Sequence, residues 1–414
     1  MSGEADQASI RDVLGIPEFR ALWLAQVLSV AGDQVARVAL TLLVYDRTRS
    51  AALAAITFVM GMLPSFLGGL LLSGLGDWLP RRTVMIGCDL ARAALVVIMT
   101  VPGLPLASLV GLLFAVTALQ APFISARSAV YPEILSGSRY VTATAITLTT
   151  SQAAQVAGFA AGGAISGSLG VRVSLFIDAG TFIASALLVR FGTAARPLPP
   201  PSAAPRQAGR FPPLAGIRLV FTDPALRTPM LLAWLAAFYN APEGVATPFA
   251  RQLGGGPATV GLLLAAPALG YALAALAFGK LARPAAQERL MSVLPLACCA
   301  LLIPIALHPP LAVTLLILTV SGACACFQVA ANATFVAAAP AHQRSQATGL
   351  AIAGLTLGQG MAMIAAGAAA QRFTPAAVIA TAGAVGAVAA AMLGIQHRAY
   401  LAARGAVPPS SAPG

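Results

Sequence analysis

Apolar residues run along this chain in long blocks, separated by short stretches in which Arg, Pro and Gly collect. A helix that crosses a bilayer needs about 20 apolar residues. Twelve blocks meet or approach that length, at 19–44, 51–76, 84–102, 105–126, 143–168, 173–192, 227–250, 257–280, 290–306, 310–335, 344–368 and 375–395. The ninth and tenth are divided only by His308-Pro309-Pro310. The pattern predicts an all-α integral membrane protein with twelve transmembrane helices.

One polar insert breaks the rhythm. Between the sixth and seventh blocks the chain carries Pro197, Pro199, Pro200, Pro201, Pro205, Pro212 and Pro213 among arginines, which reads as a flexible connection between two six-helix bundles. The expected organisation is a cytoplasmic N-terminus at 1–18, bundles at 19–192 and 227–395, a cytoplasmic linker at 193–226, and a disordered cytoplasmic tail at 396–414. The bundles also look like weak copies of each other. Gln155, Ala161 and Gly163 of the fifth block match Gln359, Ala365 and Gly367 of the eleventh at a constant offset, the internal pseudo-symmetry on which many transporters are built.

Composition sharpens the class. Hydrophobic residues make up 58% and charged residues 9%, with a mean hydropathy of +0.84, against roughly 25% charged residues in soluble domains. Aromatic residues are only 6%, which suits closely packed helices better than a barrel with aromatic girdles. The net charge of +12 does not point to nucleic acid, because the arginines gather in short loops. With residue 1 in the cytoplasm, only Arg47, Arg49, Arg172, Arg251 and Arg372 fall outside, Arg37 and Arg92 lie within helices, and the rest of the 25 basic residues are inside. That bias predicts both termini in the cytoplasm and the inner (plasma) membrane as the location. The polar, acidic start (Glu4, Asp6, Asp12, Glu18) argues against a removable signal peptide.

Cys88, Cys298, Cys299, Cys324 and Cys326 sit in apolar blocks without metal-ligand spacing. Gly254-Gly255-Gly256 reads as a turn, and His308, His342 and His397 are scattered loop residues. No nucleophile with a base, metal set or phosphate-cradling loop stands out, so the sequence predicts no enzyme and no cofactor. Energy then comes from an ion gradient or from the substrate's own gradient.

The run Phe19-Arg20-Ala21-Leu22-Trp23-Leu24-Ala25-Gln26, followed by Gly32-Asp33-Gln34, Leu43-Val44-Tyr45-Asp46, Leu63-Pro64 and Gly74-Leu75-Gly76-Asp77-Trp78-Leu79-Pro80-Arg81-Arg82, resembles the major facilitator superfamily. Within it, these stretches, with Asp89-Leu90-Ala91-Arg92-Ala93 and Leu175-Phe176-Ile177-Asp178-Ala179, resemble the bacterial enterobactin-type and macrolide-type exporters. The resemblance implies two pseudo-symmetric six-helix bundles. It also implies a cytoplasmic latch at Asp77, Arg81 and Arg82, where Ser73, Trp78 and Pro80 depart from the superfamily pattern. An acid at such a place can face the positive N-terminus of a helix, here the eleventh near Arg344, and Asp89 with Arg92 is expected to support the latch. Gly158, Gly162 and Gly163 keep the glycines of the antiporter pattern in the fifth helix and lose its proline. These glycines read either as export machinery or as ordinary close packing of membrane helices. The fourth-helix arginine of many proton antiporters has no counterpart between Ala107 and Ala126, with Arg127 at the cytoplasmic end.

An ionisable side chain in lipid costs about 2.5 to 3.5 kcal/mol, so such residues are paired or functional. The candidates are Asp33, Asp89, Asp178 and Glu243. Asp33 lies one turn before Arg37, which allows an ion pair; the alternatives are a protonatable coupling site and a purely structural pair. Glu243, between Pro242 and Gly244, sits where a helix is easily loosened. Asp178 near Arg172 reads as a structural cap or a further coupling group. Tyr239, Asn240, Trp234, Phe123, Gln155, Gln328 and Gln359 are candidates for lining a mostly apolar cavity. The reading is a secondary transporter, monomeric in the bilayer, that exports a small amphipathic molecule by antiport with protons or another ion. The alternatives are a proton-coupled nutrient importer and a non-transporting scaffold or receptor on the same fold.

Overall fold

In the computed structural model, described for residues 9–64, 79–196, 220–281, 287, 290–340 and 343–405, every one of the twelve apolar blocks holds helix over at least part of its length. Seven helices among the described residues are long and apolar enough to cross a membrane.

The first packing unit comprises residues 1–205 with 246–268. A short capped helix α1 (Ile10–Leu14) leads into α2 (Pro17–Thr48), which is 32 residues long, opens on a proline and ends at Arg49 in the left-handed conformation. Next come α3 (Ala51–Met60), α4 (Arg81–Met99), α5 (Leu106–Ala118), α6 (Gln120–Ile134), α7 (Ser138–Ser168) and α8 (Val171–Gly192). Its core falls into two parts. One gathers Phe19, Leu22, Met85, Phe123 and Tyr131; the other gathers Leu40, Val96, Leu109, Leu175 and Phe182.

The second unit comprises residues 206–245 with 269–414. The seventh block is not one helix but a chain of short ones: α9 (Pro224–Trp234), α10 (Ala236–Tyr239), α11 (Ala241–Gly244) and α12 (Ala246–Gln252), the last belonging to the first unit. Pro229, Pro242 and Pro248 each remove a helix donor along this stretch. α13 (Pro257–Leu281) follows, then α14 (Leu294–Ala300) with a 3-10 turn at Ile303–Leu307. His308, at φ 54°, turns the chain into α15 (Leu311–Cys324), followed by α16 (Phe327–Ala338), α17 (Arg344–Ala369) and α18 (Pro375–Gly405).

Several expected ends move. The fourth block continues through α6 to Ile134, with Pro132 inside that helix, so Arg127 is two turns inside a helix. α7 begins at Ser138 and takes in Arg139. α18 runs on to Gly405, beyond the expected end at 395, with no proline to stop it, and His397 is a buried helix residue rather than a loop residue. Asp77 and most of the expected linker lie outside the described residues. The outward faces of several helices are strongly apolar, as at Phe191, Leu307, Met361 and Ile395, the arrangement that lipid surroundings favour.

Candidate functional site

Helix periodicity places Ser29, Asp33 and Arg37 on one face of α2, since residues four apart stack over each other. Asp178, Phe182 and Ser185 likewise share a face of α8, and Asp89 and Arg92 share one of α4. In the first unit these faces meet. Arg92, 1% exposed, is the hub. One guanidinium nitrogen donates to Asp33 Oδ1 at 2.7 Å and the other to Ser29 Oγ at 3.2 Å. The second also stands 4.0 Å from Asp89 Oδ1. The guanidinium lies 4.0 Å above the ring of Phe182, a stacking that only a planar cation makes.

The carboxylates are held unequally. Asp33 accepts a further bond from Gln120 Nε2 at 3.3 Å, and Asp89 Oδ2 accepts from Ser185 Oγ at 2.6 Å. Asp178 is 1% exposed, and its Oδ1 has no hydrogen-bond partner among the described residues. It rests against the bare backbone of Gly32, where an added Cβ would lie 2.6 Å from Oδ1. A small cavity of about 20 Å³ opens beside it, lined by Asp33, Arg37, Gly61, Thr117 and Asp178 among others.

Four expectations change here. Asp33 pairs with Arg92 from another helix and not with Arg37. Arg37 reaches Gly61 O at 2.6 Å and lies over Phe58 instead. Asp89 and Arg92 belong to this buried cluster and not to a latch, because the face of α4 that carries them turns toward α2 and α8. Asp178 is not a cap paired with Arg172; it faces the interior. Arg127, expected at a helix end, is buried, donates to Gln26 and lies over Tyr131. Of the expected latch residues, Arg81 is tied to Glu133 and Ala129 O, and Arg82 to Arg190 O, within the first unit.

The glycines of α7 face two ways. A Cβ on Gly158 would come within 2.6 Å of Ala31 O, and one on Gly162 within 2.9 Å of Val35 Cα, so both admit α2. A Cβ on Gly163 would meet Pro257 O at 2.7 Å and Gly261 Cα at 2.8 Å, so this one admits the first half of α13. On the same unit Arg251 pairs with Asp46 at 2.9 Å.

In the second unit, Glu243 is half-buried in α11, where the break expected from Pro242 and Gly244 is present. Gly244 lets that break touch α17: a Cβ there would lie 2.8 Å from Met363 O. Tyr239 pairs with Gln328 and stands edge-on to Phe327. Trp234 covers Gly354 and donates to Ala351 O at 3.0 Å. Asn240 and Gln359 are half-buried, as is Gln155 in the first unit. Phe123, expected beside a cavity, is instead 1% exposed in the first unit's core, where Phe19 and Tyr131 pack. Reasoning from sequence missed Ser29, Gln120 and Ser185. Their spacing of four from Asp33 and seven from Asp178 was a usable signal for two of them, and Gln120 carried none.

A family model described as transmembrane secretion effector matches residues 12–410. The chain belongs to that family and has the major facilitator fold of a transporter rather than an enzyme. No curated protein matches the chain. Among solved structures, a bacterial homologue of the human lysosomal transporter Spinster, in an inward-facing and occupied conformation, aligns at 16% identity and a TM-score of 0.67, covering 93% of this chain and 96% of that one. A POT family transporter in complex with a thioalcohol-conjugated peptide aligns at 11% identity and TM-score 0.72, covering 92% and 96%. The nucleoside transporter NupG, as a D323A mutant, aligns at 14% identity and TM-score 0.70, covering 92% and 99%. These likenesses establish the fold. The protein is a multi-pass membrane transporter.

Proposed function

We propose that the protein exports small amphipathic compounds of the drug, antibiotic or siderophore type by proton antiport, with alternating access between two six-helix bundles. The observation that carries this reading is the buried cluster in which Asp33, Asp89 and Asp178 share the surroundings of Arg92. Carboxyl groups that outnumber their cations away from water are held there at a cost of several kcal/mol unless protons or a cationic ligand compensate them. Such a cluster therefore binds protons in competition with its own arginine, which is what a coupling site requires. The secretion description of the family supports the outward direction, and the Gly158, Gly162 and Gly163 contacts support the antiporter branch. Glu243, in the broken helix of the second unit, is the proposed counterpart that meets substrate. The reading includes cytoplasmic termini, a plasma-membrane location, a linker at 193–226, a latch through Asp77 and a monomer.

The test is accumulation of a fluorescent amphipathic dye panel in cells expressing wild type, Asp33→Asn or Glu243→Gln, with and without a protonophore. Wild type is expected to lower accumulation, and the protonophore and each substitution to abolish the effect. Higher accumulation with wild type would make the protein an importer. Unchanged flux in every dye, with both substitutions silent in cells, would favour a scaffold or receptor on this fold.

A further inference from the structure

The cavity beside Asp178 has a size and lining that the cluster around Arg92 does not explain. At about 20 Å³ it matches the space one water molecule occupies, and a buried water needs two to four polar partners. Asp33, Asp178, Arg37 and Thr117 supply side chains of that kind, and Gly61 adds its carbonyl, which Arg37 already holds at 2.6 Å. Asp178, 1% exposed, has an oxygen with no hydrogen-bond partner among the described residues. Buried polar atoms are rarely left so, and an ordered water is one of the usual remedies. Taking the proton-coupled reading as its basis, we propose that this cavity is an internal water site joining Asp178 to Asp33, and that Asp178 is the store from which the cluster's proton is delivered.

The charges around the site set the direction of the argument. α2 contributes Asp33 and Arg37, and α4 contributes Asp89 and Arg92. α5 presents the Thr117 hydroxyl and no charge, and α6 presents the Gln120 amide. The single charge on α7, Arg139, sits in its first turn. Among the described residues, three carboxyl groups thus face two guanidinium groups, and Asp33 and Asp89 hold the hydrogen bonds that stabilise an anion, from Arg92, Gln120 and Ser185. Asp178 has the least such support, so the compensating proton resides there. In the delivery step the Asp178 O–H passes its proton to the water, and the water passes one of its own to the Asp33 carboxylate. Water is regenerated, Asp178 is left as carboxylate and Asp33 as acid. The Asp33–Arg92 pair is thereby released, with no further reactant.

The experiment is infrared spectroscopy of the purified full-length protein in lipid nanodiscs, in H2O and D2O, from mildly acidic to neutral pH. Wild type is expected to show a protonated-carboxyl C=O band that is lost in Asp178→Asn and shifted in frequency in Asp33→Asn. Ala36→Val narrows the same cavity without touching a charge; there the Asp178 band is expected to persist and to stop responding to Asp33→Asn. A band that survives in Asp178→Asn, or one absent from wild type, overturns the assignment of the proton. A band still coupled to Asp33 when Ala36 is replaced overturns the water link. The outcome is separable from that of the export reading. Dye flux indifferent to a protonophore, with the bands behaving as described, removes proton-driven export and leaves the site. Proton-driven flux with band and flux both intact in Asp178→Asn removes the site and leaves export.

Discussion

Replacing Arg92 by glutamine is the most direct test of the buried cluster, because it needs no substrate. The side chain is 1% exposed and touches Asp33 at 2.7 Å, Ser29 at 3.2 Å and the Phe182 ring at 4.0 Å. At an effective dielectric constant of about 20, unit charges 4 Å apart attract by about 4 kcal/mol, which is the separation from Asp89 Oδ1. Much of that attraction is offset by desolvation, so the relevant figure is the cost of leaving acids without their cation, about 3 to 5 kcal/mol for a buried pair. Arg92→Gln is expected to destabilise the protein by that amount. Asp33→Asn in the same chain should recover part of the loss, giving a coupling of about 1 to 3 kcal/mol in the double-mutant cycle. Arg92→Lys keeps the charge but loses the fork and the stacking on Phe182, so it should fall between wild type and Arg92→Gln. The assay is reversible unfolding of purified protein in mixed micelles, followed by Trp fluorescence. A cost below about 1 kcal/mol for Arg92→Gln, or additivity within about 0.5 kcal/mol, would refute the reasoning.

Gly163→Ala should destabilise by about 1 to 3 kcal/mol through overpacking, since its Cβ would meet backbone atoms of Pro257 and Gly261 that cannot swing aside. Gly180→Ala on α8, where nothing lies within 4 Å, should gain a few tenths to about 1 kcal/mol; equal effects at the two sites, measured by thermal unfolding, would contradict the packing account. The Arg251–Asp46 pair is well exposed at 42% and 45%, so Arg251→Gln should change stability by no more than about 1 kcal/mol, with the difference vanishing at high salt. A larger loss that salt does not screen would place this pair away from water.

How much the sequence revealed depended on the physics that each feature obeys. Helix positions were legible because lipid imposes a length and an apolar composition on every crossing. Breaks were legible where proline or glycine causes them, as at Pro242 and Gly244. The end of the fourth block was misplaced at Ala126 because polar Arg127 looks like a boundary in a hydropathy pattern, whereas its charge is taken up inside by Gln26 and Tyr131. The four acids were found by the same rule that makes them costly. Their partners were not: spacing within one helix suggested Arg37 for Asp33, and the true partner, Arg92, is brought by tertiary packing 59 positions away. Phe123 failed for a related reason, since an aromatic on a membrane helix reads identically whether it faces a cavity or a core.

The contact of Gly163 with Gly261 bears on how this protein is made. Residues 246–268 belong to the same packing unit as residues 1–205, so the ribosome has not supplied that unit's last component when the eighth helix is complete. Another 63 residues follow Pro205 up to and including Ala268, roughly 3 to 13 s of synthesis at about 5 to 20 residues per second. During that interval the glycine side of α7 waits for its partner. The first unit's assembly is therefore not a self-contained early event; it is completed by chain emerging well after the proline-rich stretch, which couples maturation of the charged cluster's scaffold to translation of the second half.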